Sequence, residues 1–448
     1  MRQPVRDRLS PAAATALAVA LASFALPALA APPFPLPAWK IEYALFALTL
    51  AGVAVLHRHT LAVGLGGLAV IVGYKLVFGA FAEGPGFAGL AKHFRHEAVP
   101  LANLMLLLLG FALLARHFEK SHAPVLLRRW LPHDWRGPFV LLAIVFVLSS
   151  FLDNIAAALI GAAMAHQVFR ARVHIGYLAA LVAAANAGGV GSVIGDTTTT
   201  MMWIRGVEPG EVVHAYIGGL VALAACGIPA AFQQQRFAPM LRHAHGHVHL
   251  DWPRLTVVAT VLVAALGTNL YVNAFHARVA DEFPYIGVAI WVALLVTRSL
   301  RRPDWEILPE TARGSLFLLA LVSCASLMPL DGLMPPSWPV TFGLGFLSAG
   351  FDNIPLTALA LEQGGYDWAL LAFAVGFGGS MIWFGSSAGI AVTNLFPEAR
   401  SVVAWLRYGW HVMVAYVVGF LVMLATTGWT PHHAPTRSLS PTAIAALP

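Results

Sequence analysis

Charge is what this 448-residue sequence has least of: only 11% of its residues are Asp, Glu, Lys or Arg, where a soluble globule carries about 25%. With 58% hydrophobic residues and a mean hydropathy of +0.74, the chain has too little polar surface to dissolve as a globule. It reads as a polytopic membrane protein. Cysteine is scarce as well. Cys226 and Cys324 both fall inside apolar runs with no partner spacing, which argues against a disulfide framework or a thiolate metal site. The net charge of +6 does not point to nucleic acid, because the basic residues sit in short loops between apolar spans. There they act as topology signals.

At the N-terminus, Arg2, Arg6 and Arg8 precede an apolar run from Ala12 to Leu26, and Ala28-Leu29-Ala30 follows. A basic start, a short apolar core and a small-x-small site predict a secretory signal peptide over residues 1–30. Pro11 and Pro27 bound the run at roughly 15 residues, short of the roughly 20 that a crossing needs. The apolar spans beyond it fall into two sets of six, at 31–231 and 255–426, with a tail at 427–448. Between the sets lies a polar linker, 232–254, expected on the cytoplasmic side. Its alternating His243, His245, His247 and His249 read as a solvated segment rather than a divalent-metal site.

The two sets carry the same unusual motifs. Asp153-Asn154 and Asp352-Asn353 each interrupt an apolar span. Each is followed by a glycine-broken span in which Gly-Gly, five residues and Gly recur: Gly188-Gly189 to Gly195, and Gly378-Gly379 to Gly385. The spans with the Asp-Asn pairs, 138–165 and 339–361, are too short to cross twice, which takes about 40 residues. Their flanks match in charge: Arg128, Arg129 and Arg136 precede the first, and Arg170 and Arg172 follow it. Neither 329–338 nor 362–367 contains Lys or Arg. Because cytoplasmic loops collect Lys and Arg, the first span is expected to enter and leave on the cytoplasmic side and the second on the opposite side. Each set then has an odd number of crossings. The expected fold is all-α, with two inverted repeats that each hold a re-entrant hairpin and a broken transmembrane helix.

Irregular backbone at membrane depth is tolerated only where it is buried in protein or lines a wet cavity, and there it frees helix ends and carbonyls for a ligand. An aspartate at mid-bilayer costs about 2.5–3.5 kcal/mol, so Asp153, Asp196 and Asp352 ask for a function. The candidate proton- and cation-binding residues are Asp153, Asn154, Asp196, Thr197, Thr198, Asp352, Asn353, Ser386 and Ser387. Asn186, Gly188, Gly189, Gly195, Gly378, Gly379 and Gly385 supply the broken backbone. Under the Gly-Gly alignment Asp196 falls opposite Ser386. The tighter sodium site is therefore expected in the first half, at Asp153, Asn154 and Asp196, with a weaker or proton-carrying site in the second. Glu42 and Lys75, near span ends, are expected to reach toward the interface.

At these residues the chain resembles the NhaD-type sodium/proton antiporters, a branch of the ion transporter superfamily that also holds citrate-type carboxylate transporters and arsenite permeases. LDN at 152–154, NAGG and IGDTTTTMMW within 186–203, DNIPL at 352–356 and GGSMIWFGSSAGIAV at 378–392 carry the resemblance. It implies an inverted-repeat homodimer with a moving transport region in an inner membrane, exchanging sodium or lithium for protons without a cofactor. Ala156-Ala157 departs from the hydroxyl residues usual in this branch. A di- or tricarboxylate symporter is the main alternative. Three aspartates and no Arg or Lys in the hairpin and broken-helix cores give the wrong sign for an anion. Arsenite export stays open. Among the spans no metal-ligand spacing, nucleophile elbow or cofactor loop suggests an enzyme.

Overall fold

A computed structural model describes residues 38–56, 59–81, 83–123, 131–240, 249–275, 282–329 and 333–432. The expected signal peptide, residues 241–248 of the histidine-rich linker (including His243, His245 and His247) and the tail beyond 432 lie outside the described residues. The described chain is helical, and among the described residues no strand forms. The helices of the first half are α1 (Ala38–Val55), α2 (Thr60–Phe78), α3 (Gly86–Lys120), α4 (Arg136–Ser149), α5 (Asn154–Val168), α6 (Ile175–Gly189), α7 (Thr197–Ile204), α8 (Pro209–Val213) and α9 (Ala215–Phe237). Those of the second are α10 (Trp252–Phe275), α11 (Tyr285–Thr297), α12 (Leu308–Ser326), α13 (Trp338–Gly350), α14 (Asn353–Gln363), α15 (Trp368–Gly378), α16 (Ser387–Leu395), α17 (Val402–Tyr408) and α18 (Trp410–Thr427).

Among the described residues, five helical stretches are long and apolar enough to cross a bilayer: Thr60–Phe78, Gly86–Lys120, Pro209–Phe237, Trp305–Ser326 and Trp410–Thr427. This makes the chain an all-α polytopic membrane protein. The remaining apolar helices are shorter. α4 and α5, with 14 and 15 residues, each rise only about 21–23 Å, against a hydrocarbon core of about 30 Å. Neither spans alone. α13 and α14, with 13 and 11 residues, are shorter still.

The described residues divide into two compact units, and both cut across the sequence halves. The smaller comprises residues up to Glu97 together with 313–332. Within it α1 packs on α2, and polar groups meet at one end of the pair. Lys75 Nζ lies 3.8 Å from Glu42 Oε1 and donates to the Leu327 carbonyl at 2.6 Å. The Tyr43 hydroxyl donates to the Pro329 carbonyl. Both charged side chains are buried. They do not reach toward the interface as expected, because each satisfies the other and Leu327 fixes the ammonium.

The larger unit, 98–312 with 333–448, holds both Asp-Asn motifs. Its helix pairs recur across the two halves. α4 packs on α6 as α13 packs on α15, while α9 runs against α18. The halves also exchange partners: α5 packs on α16 and α14 on α7. The helix after each Asp-Asn pair thus rests on the helix that follows the other half's break. At the centre, Phe373 and Phe377 stack on the ring of Tyr416, whose hydroxyl donates to the Phe342 carbonyl at 2.6 Å. A buried phenol needs such an acceptor.

Candidate cation-binding site

Both Asp-Asn motifs start a helix in the same way. Asp153 is the N-cap of α5 with φ −54° and ψ 141°, and its carboxylate accepts from Ile155 N. Asp352 caps α14 with φ −54° and ψ 142°, accepting from Ile354 N. Aspartate suits this place because it satisfies an orphan amide and places negative charge at the positive helix end. The residue that ends each break also recurs: Asp196 before α7 has φ −142° and ψ 142°, and Ser386 before α16 has φ −142° and ψ 151°.

The breaks begin later than the glycine runs suggest. α6 continues through Gly189 and α15 through Gly378, so the irregular stretches are 190–196 and 379–386. Gly188 and Gly378 are helical, and close approach explains them. A Cβ at Gly188 would lie 2.0 Å from the Phe146 carbonyl oxygen, and one at Gly378 would lie 2.3 Å from that of Gly345. The next glycine of each pair, Gly189 or Gly379, would likewise strike the carbonyl of Gly195 or Gly385, at 2.7 and 2.6 Å. Bare backbone at 188 and 378 lets α6 close on α4 and α15 on α13, and at 189 and 379 it lets each break fold back on its own start.

The breaks bring the polar side chains together. Asn154 Nδ2 donates to Asp196 Oδ1 at 3.1 Å and to Asn186 Oδ1 at 3.2 Å. Thr198 Oγ1 donates to Asp196 Oδ2 at 2.6 Å. Asn186 Nδ2 reaches across to the second half, donating to Ser380 Oγ at 2.9 Å and Ser386 Oγ at 3.2 Å. Ser387 Oγ donates to Asp352 Oδ2 at 3.3 Å. Asn353, the first residue of α14, is buried, and α14 packs on α7, which starts just after Asp196. Asp196, Asn186, Thr198 and Ser386 are buried, whereas Asp153 and Asp352 keep partial exposure.

Of the threonine run only Thr198 is recorded against the carboxylate. Thr199 and Thr200 bond back to the Asp196 carbonyl, both at 2.9 Å. Asn186, expected to contribute backbone, contributes its side chain, and Ser380 was not foreseen. Asn186 had a readable signal: it is the sole amide in the apolar helix IGYLAALVAAANAGG. Ser192 is a second unforeseen residue. Its hydroxyl accepts from Ile194 N and Gly195 N, both at 3.2 Å, and donates to the Ser150 carbonyl at 2.7 Å. It thereby ties the first break to the first hairpin tip. Among the described residues no group of three or more His, Cys, Asp or Glu could hold a metal ion. The cluster instead mixes carboxylate with amide and hydroxyl oxygens, a donor set suited to hard cations.

No protein-family model matches the chain. Several curated proteins do. Sodium/proton antiporter 1 of Arabidopsis thaliana is 28% identical over 301 residues, covering 58% of this chain and 51% of the plant protein, so the match spans about half of that relative. The Na(+)/H(+) antiporter NhaD of Alkalimonas amylolytica is 24% identical over 386 residues, covering 74% of this chain and 78% of its own. NhaD of Vibrio cholerae serotype O1 is 25% identical over 392 residues, covering 73% and 79%. Across most of its length, therefore, this membrane protein is similar to the NhaD-type sodium/proton antiporters.

Proposed function

We propose that the chain is a secondary transporter that exchanges sodium or lithium ions for protons across a bacterial-type inner membrane. The observation that carries this reading is the buried junction of both breaks, where Asp196 meets Asn154 and Thr198 and Asn186 crosses to Ser380 and Ser386. A cation loses its hydration shell on entering such a place and needs anionic and neutral oxygens in its stead. The same carboxylate oxygen cannot hold a proton and a sodium ion together, so binding one expels the other. Asp153 and Asp352, partly exposed at the two helix caps, are the groups placed to pass ions between the junction and water.

The recurrent cap dihedrals and the exchanged helix partners support the inverted-repeat arrangement with opposed hairpins. An anionic carboxylate substrate fits poorly, because residues 138–165, 175–203, 339–361 and 368–396, which carry these aspartates and both breaks, contain no Arg or Lys. The test is transport in everted vesicles, with proton movement followed by a pH-sensitive dye after adding sodium, lithium, potassium or citrate. Dye recovery on sodium or lithium is expected. A response to citrate alone would replace this reading with the symporter.

A further inference from the structure

Gly376 is helical, two residues before the end of α15 and three before the second break, so neither the break nor a positive φ explains its lack of a side chain. Its surroundings do. A Cβ there would lie 2.7 Å from Val190 Cγ1 and 3.1 Å from Asp196 Oδ2. Val190 is the first residue of the other half's break, and Asp196 is its buried carboxylate. Under the Gly-Gly alignment, position 376 corresponds to Asn186, whose side chain reaches Ser386. Equivalent positions thus carry complementary choices. An amide on α6 crosses to the serine of the second half, and bare backbone on α15 leaves room for the aspartate of the first.

We infer that Gly376 is a specificity-determining position that sets the space beside Asp196 and so the size of cation the junction accepts. This rests on the exchange reading above. The carboxylate is held on its other sides: Oδ1 by Asn154 and Oδ2 by Thr198, at 3.1 and 2.6 Å. A methyl group at 376 would sit 3.1 Å from Oδ2, so the carboxylate or the methyl must give way by a few tenths of an ångström. Whatever the final shift, the volume next to Oδ2 falls. Sodium, the larger ion, loses more than lithium.

The experiment compares Gly376→Ala with wild type in everted vesicles, measuring half-saturating sodium and lithium. Sodium half-saturation should rise about 10-fold, the low end for disturbing the support of a metal ligand, and lithium by clearly less, so that the sodium-to-lithium ratio changes. Val190→Ala/Gly376→Ala removes the 2.7 Å contact and leaves Asp196 as the close neighbour; it should show the same change of ratio. Val190→Ala alone, and Gly350→Ala, where a Cβ meets nothing within 4 Å, should keep the wild-type ratio. An unchanged ratio in a Gly376→Ala protein that still exchanges overturns the inference and spares the exchange reading. No cation response in wild type overturns the exchange reading itself. If neither variant at 376 reaches the membrane as monodisperse protein while Gly350→Ala does, the glycine serves packing only and the specificity role is overturned.

Discussion

Single side chains separate charge from packing in this protein. Asp153→Asn and Asp352→Asn keep shape and remove the ionisable oxygen, and each cap can still accept from the following amide through the asparagine oxygen. Both proteins should reach the membrane, and both should lose most sodium-dependent proton movement in the dye assay. Wild-type exchange in either would remove that aspartate from the mechanism. The Lys75–Glu42 pair calls for a different measurement. Its side chains are 7% and 8% exposed, and removing one member of a buried pair leaves an uncompensated charge, costing about 3–5 kcal/mol. Lys75→Met should therefore melt well below wild type in detergent, and Lys75→Met/Glu42→Gln should recover much of the loss. Equal melting of Lys75→Met and wild type would show that Glu42 has another partner or stays hydrated.

At the scale of elements, the hairpins decide the topology. Cysteines at 134 and 171, flanking α4 and α5, should both label from the cytoplasm, and cysteines at 334 and 365, flanking α13 and α14, both from the other face. Labelling of either pair from opposite faces would make that span a crossing and end the inverted-repeat proposal. The expectation of hairpins rests on length and flanking charge, which are local properties of a sequence, and the structure bears out the short helices on either side of each Asp-Asn pair. An Asp-Asn pair inside an apolar run also announces a cap wherever it occurs. The ends of the breaks were less legible. Gly188 and Gly376 look like helix breakers in one dimension, yet both are helical, and what presses on them comes from distant elements: the Phe146 carbonyl at 188, and Val190 with the Asp196 carboxylate at 376. For the same reason Ser380 went unseen: its partner Asn186 is 194 residues away. Buried contacts between halves leave no periodic trace.

Across the whole molecule the halves are fastened at more than the junction. Asp251, just before α10, accepts from Arg301 Nε at 2.9 Å and lies 3.4 Å from Arg254, while its amide donates to the Ser121 carbonyl at 3.0 Å. The Arg301 guanidinium holds the Asp251 carboxyl below the usual aspartate range. A carboxyl depressed in the folded state adds stability above its ordinary pKa, and that contribution fades as pH falls through the lowered value. The effect is small for a pair this exposed. Wild type should lose melting temperature slightly faster than Asp251→Asn as pH drops below about 4. Parallel curves would mean the pair contributes nothing.

The junction makes the strongest statement at this scale. Sequence alignment alone places one cation site in each half, the tighter one with Asp196. Asp196→Ser should accordingly raise half-saturating sodium far more than Ser386→Ala, since it removes a charge rather than a neutral oxygen. Yet Asn154, from the first half, and Ser386, from the second, share one partner: Asn186 accepts from the former and donates to the latter, each at 3.2 Å. Substitutions at residues that share a partner couple by about 0.5–3 kcal/mol, whereas distant independent ones add. Asn154→Ala and Ser386→Ala, measured singly and together by half-saturating sodium, should therefore deviate from additivity by about twofold or more, the fold-change equivalent of that lower bound. Orphaning Asn186 on one side already loosens it for the other, so the second substitution should cost less than it does alone. Strict additivity would mean that each half binds its ion separately and that Asn186 merely packs between them.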